Sequence, residues 1–123
     1  MHPFRAAIEA RDVDAAIALL SDDVVFRSPI VFKPYEGREQ VAPILAAVLT
    51  VFEDFRYVDQ LEGERSAALV FSARVGDRRL EGLDHLRFGN DGLVTELTVM
   101  VRPLSGAMAL AETMRARLEP AAG

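Results

Sequence analysis

Asp84 is the residue best placed for chemistry. It lies within Glu81-Gly82-Leu83-Asp84-His85-Leu86-Arg87-Phe88-Gly89. Read as a strand with period two, this stretch turns Gly82, Asp84, Leu86 and Phe88 to one face and Leu83, His85 and Arg87 to the other. A carboxylate among apolar neighbours is costly when ionised, so it holds its proton or finds a donor. Such a group can act as a general acid or donate a hydrogen bond to a ligand carbonyl. It can equally be a structural carboxylate paired with an Arg, Ser28 or Tyr35, and both readings stand at this point. His85 alternates away from it and belongs to the outer sheet face. Ser28 can hydrogen-bond a ligand or cap a strand exit, and no base stands near it in sequence to make it a nucleophile.

A chain of 123 residues, half of them hydrophobic, fits one domain with a single core. We expect that domain to span 1–119, with a frayed tail at 120–123. The net charge is −5 and no run of Lys or Arg stands out, which argues against nucleic acid and membrane surfaces as partners. The chain has no cysteine, so disulfides and thiolate chemistry are excluded, and a reducing, cytoplasmic location is expected. With two histidines and no cysteine, no metal site is expected. The glycines are scattered over turns and one bend, which supports no phosphate cradle and no cofactor. The start, Met-His-Pro-Phe-Arg, lacks the apolar core of a signal peptide.

The elements that must position Asp84 follow in order. Phe4 to Ala10 reads as a short helix. Asp12 can cap a second one that runs through Leu20, and Val24 to Arg27 reads as a strand stopped by Pro29. Ile30 to Gly37 is a loop unusually rich in large apolar groups, which must pack on the core or on a ligand. A third helix covers Arg38 to Phe52, with Pro43 expected to leave it regular only from about Ala42. Four strands follow: Phe55 to Glu62, Ala67 to Val75, Arg79 to Phe88 and Leu93 to Val101. The turns between them carry Gly, Asn or Asp. Gly82 suggests a bulge or bend. Leu104 to Leu118 reads as a last helix, with Leu104, Met108, Ala111, Met114 and Leu118 on one face.

Helices followed by a long antiparallel meander predict an α+β class. The expected architecture is a curved antiparallel sheet wrapped around N-terminal helices, a cone-shaped α+β barrel, with an extra C-terminal helix. Its concave side would enclose an apolar pocket for a hydrophobic small molecule bearing a carbonyl or hydroxyl. The expected lining is Phe4, Phe26, Ser28, Phe32, Tyr35, Leu86, Phe88, Leu97 and Val99, with Asp84 as the acid or donor. Leu83, Thr98 and Met100 make the convex face too apolar for full exposure. That predicts a homodimer, or cover by the last helix in a monomer.

Several runs resemble one superfamily. Arg11-Asp12-Val13-Asp14 with Leu20-Ser21-Asp22-Asp23-Val24, then Tyr35-Glu36-Gly37-Arg38-Glu39, then Asp84-His85-Leu86-Arg87-Phe88, are similar to nuclear-transport-factor-2-like proteins. Within that superfamily they are most like the SnoaL-like polyketide cyclase and ketosteroid isomerase branch. The resemblance implies the cone fold, a dimer and isomerase- or cyclase-like acid–base chemistry. In the isomerases an aspartate base moves a proton while a tyrosine and a protonated aspartic acid stabilise the oxyanion. Asp84 matches the donor acid. Ser28 falls at the base and Phe4 at the tyrosine, so authentic ketosteroid isomerase activity is not expected. The same losses leave a non-catalytic binding or accessory module as the alternative.

Overall fold

The computed structural model describes residues 2–118, so the tail expected at 120–123 lies outside the described residues. Helix α1 (Pro3–Glu9) buries Phe4, Ala7 and Ile8. Helix α2 (Val13–Ala18) starts at Asp12, whose carboxylate accepts the Ala15 N–H at 3.1 Å. It ends before Leu20, which opens strand β1 (Leu20–Arg27). The sheet captures the chain here: the Val94 N–H donates to the Leu19 carbonyl at 2.8 Å, and Leu20 is wholly buried. Ser21-Asp22-Asp23 is therefore strand, and the helix stops short of the expected Leu20.

The apolar loop holds a two-residue strand, β2 (Tyr35–Glu36), paired antiparallel with β1. Helix α3 (Arg38–Val51) is continuous through Pro43, against the expected irregular start. Proline deprives only the Glu39 carbonyl of its helical donor. Glu39 and Pro43 are both exposed, so water can serve that carbonyl. The Arg38 guanidinium donates to the Leu20 carbonyl and ties the helix start to β1.

Strands β3 (Glu53–Glu62), β4 (Ser66–Val75), β5 (Arg78–Phe88) and β6 (Val94–Arg102) form the expected meander, followed by α4 (Leu104–Leu118). The six strands make one curved sheet in the order β2-β1-β6-β5-β4-β3. It is mixed and not purely antiparallel, because β1 pairs parallel with β6. The last strand of the meander offers an unpaired edge, and β1 fills it running in the same direction.

Two local details differ from strand alternation. The β3–β4 register shifts between Tyr57 and Asp59. This bulge reverses the parity beyond it, so Gln60 becomes half-buried and Leu61 exposed. Gly82, by contrast, sits in unbroken register with both Phe71 and Val101. It makes no bulge. A Cβ there would stand 2.1 Å from the Phe71 ring, so glycine is required for the ring to lie over β5.

The expected apolar stripe of α4 is also displaced. Gly106 and Leu110 are the buried residues, whereas Leu104, Met108 and Leu118 are exposed. Gly106 permits close approach to Leu80 and the Arg79 carbonyl. Packing on β5 thus selects a face set by the small residue, not by the largest ones. Among the described residues no helix is long and apolar enough to cross a membrane.

Candidate functional site

The site begins with β5, whose inward residues are Leu80, Gly82, Asp84 and Leu86, all buried. Asp84 is paired across the sheet with Leu69 of β4 and Val99 of β6. Its partner comes from one strand further away. The Tyr57 hydroxyl of β3 donates to Asp84 Oδ2 at 2.7 Å, and both groups are buried. The path is cleared by Gly82, over which the Phe71 ring folds; Tyr57 meets that ring edge-on, 6.4 Å between centroids. From the other side α1 holds the Arg5 guanidinium over the Tyr57 ring, 5.7 Å from its centroid. Arg5 is itself held by Glu9 and Gln60, each at 3.2 Å.

These surroundings set the protonation of the pair. Burial pushes the Asp84 carboxyl up to about 6, and the hydrogen bond from Tyr57 pulls partly against it. Burial and the neighbouring carboxylate drive the Tyr57 phenol far upward, so Tyr57 keeps its proton and remains the donor. Asp84 accepts no second hydrogen bond among the described residues. None of their buried side-chain oxygens lacks a partner, so its other oxygen opens on the adjoining space.

That space is a cavity of about 590 Å³, within the range of small-molecule sites. The concave sheet face and α3 form its body. Leu110, Ala111 and Met114 of α4 wall it, and the exposed Glu112 and Arg115 give it a charged margin. Seven of the residues singled out in the sequence meet there: Phe4, Phe26, Ser28, Tyr35, Asp84, Leu97 and Val99. Three do not line it. Phe32 projects from its loop fully into solvent. Leu86 is enclosed in the core with no exposed surface. Phe88 stacks instead on His2, 4.6 Å between ring centroids. Ser28 accepts the N–H of Ile30 at 2.9 Å, a turn-capping role. Among the described residues no cluster of acidic or histidine side chains could hold a metal.

Tyr57 is the residue that sequence reasoning missed. The available signal was its place on the inward face of β3, where a buried phenol must find a hydrogen-bond partner. Its pairing with Asp84 spans β4, which no local pattern reveals. It is not part of the cavity wall, so its hydroxyl serves Asp84 and not a ligand.

Residues 2–97 match the family model described as SnoaL-like domain. Among solved structures, a steroid delta-isomerase from Pseudomonas aeruginosa is 51% identical with a TM-score of 0.89, over 92% of this chain and 84% of that one. A bacterial protein with a cystatin-like fold from Silicibacter pomeroyi is 33% identical with a TM-score of 0.89, over 95% and 86% of the two chains. The epoxide hydrolase/cyclase-like enzyme SalBIII of salinomycin pyran-ring formation, at 16% identity and TM-score 0.68 over 82% and 86%, shares the fold. No curated protein matches the chain.

Proposed function

The chain belongs to the SnoaL-like domain family, and from that premise we propose that it takes up a largely apolar small molecule carrying a carbonyl or hydroxyl, with Asp84 acting on that oxygen as an acid. The observation that carries this reading is Asp84, backed by the Tyr57 hydroxyl, at the wall of a largely apolar cavity. With Oδ2 occupied by the Tyr57 proton, the carboxyl proton belongs on the oxygen that faces the cavity. There it is passed to a ligand oxygen as a double bond shifts or a ring closes, and the Asp84 carboxylate regains the proton that the ligand's carbon or attacking hydroxyl releases. Tyr57 steadies the carboxylate in between. A seated apolar ligand expels water and raises the Asp84 carboxyl further, shifting it toward the protonated form. Acid-assisted isomerisation or cyclisation is the reaction class. The likeness to the Pseudomonas aeruginosa steroid delta-isomerase makes polycyclic ketones the first compounds to try.

A second reading is a binding or accessory module without turnover. It is favoured by Ser28 and Phe4, which stand where the resembling isomerases have their base and tyrosine. Native mass spectrometry of protein purified from its host tests the shared part: a retained apolar molecule is expected, and a consistently empty cavity would count against both readings. Asp84→Asn then separates them. The catalytic reading expects turnover of the retained compound to fall about 100-fold or more, with affinity changed only a few-fold. A ligand that wild-type protein holds without converting supports the module. Unchanged affinity and unchanged turnover in the variant would remove Asp84 from the mechanism.

A further inference from the structure

Ser28 follows the last residue of β1 and lines the cavity. Its Oγ accepts two backbone amides, Ile30 N–H at 2.9 Å and Val31 N–H at 3.4 Å. A hydroxyl has one proton and two acceptor sites. With both acceptor sites taken, all that Ser28 can offer the cavity is its O–H. Among the described residues no acceptor receives that proton. The same occupancy bars Ser28 from acting as a base, since abstraction of a proton needs a free lone pair.

We propose that Ser28 is a ligand-selecting hydrogen-bond donor, so that the cavity favours an apolar molecule with two separate acceptor oxygens, one for Asp84 and one for Ser28. This rests on the ligand-binding reading above. A ligand with a single oxygen would strip water from the Ser28 O–H and return nothing, and an unmatched buried donor costs more than a matched one gains. Such a site therefore discriminates against the molecule that lacks the second acceptor. Tyr35 is the competing donor. It is half-buried, lines the cavity and stacks on Phe26 at 6.1 Å between centroids.

The test is calorimetric binding of steroid diketones whose second ketone lies near to or far from the first, each against the matching steroid with one ketone. Wild-type protein is expected to prefer the diketone about tenfold in the pair whose spacing fits. Ser28→Ala should bind the two members of that pair about equally, and Ser28→Thr, which keeps the hydroxyl, should keep the preference. Using the ratio of two ligands cancels any general loosening caused by loss of the turn bonds. If Ser28→Ala does not fold, Ser28→Cys replaces it: the thiol keeps the shape but is only a weak donor, so the preference should again fall away. A preference that survives these variants, or that is lost only in Tyr35→Phe, overturns the assignment. Equal binding within every pair by wild type, weakened throughout by Asp84→Asn, overturns it while leaving the pocket reading intact. Binding of none overturns both.

Discussion

At Asp84 two effects pull in opposite directions. Burial penalises the carboxylate, and the Tyr57 hydroxyl stabilises it; burial wins and holds the group near 6, against an ordinary 3.8. The folded chain therefore binds this proton more tightly than the unfolded chain does. The resulting stability is fully present below about pH 4 and is lost as pH rises through 6, on the order of 3 kcal/mol in all. Urea unfolding from pH 4 to pH 7 should show that decline in wild type and a correspondingly smaller one in Asp84→Asn. Equal slopes would mean that Asp84 is not held up. Tyr57→Phe removes the opposing pull, so Asp84 should titrate higher still, which carboxyl-carbon NMR reads directly. Asp84 was legible because an acid alternating with Leu86 and Phe88 is conspicuous. Tyr57 was not, because its partner lies two strands away.

At the scale of elements, the pair depends on how β3, β4 and β5 pack. Phe71 occupies the place where any side chain at position 82 would go. Gly82→Ala must push the ring aside, and overpacking of this kind costs about 1–3 kcal/mol. The loss should appear as a lower urea midpoint. It should also come with a shifted Asp84 titration, since the displaced ring lies against Tyr57. A stability loss with the titration unmoved would separate the packing from the pair. The four meander strands could be read from alternation and turn residues, within two residues of their ends, whereas β1 begins four residues before the expected Val24 and β2 lies inside what reads as a loop. The bulge at Val58, the continuous helix through Pro43 and the parallel β1–β6 pairing could not. Each is decided by the folded surroundings: the β4 register, the solvent exposure of the Glu39 carbonyl in α3, and the free edge of β6.

For the whole molecule, the position of α4 decides between two accounts of the convex face. The helix lies on β4, β5, β6 and α3 and walls the cavity, so it belongs to the concave side. It does not cover Leu83 and Met100, which pair across β5 and β6 on the outer face, and Met100 is 58% exposed. Among the described residues α4 leaves that outer face uncovered. The expected outcome is a symmetric pair of chains joined sheet to sheet. Light scattering coupled to size exclusion should give twice the chain mass of 13.5 kDa. Met100→Lys places a charge at the centre of such a contact and should return the mass to that of one chain without altering the circular dichroism. Wild-type protein at the single-chain mass would refute the pairing. Because the cavity opens on the other side of the sheet, the monomeric variant should still bind a ligand. That separates the role of the convex face from that of Asp84 in one experiment.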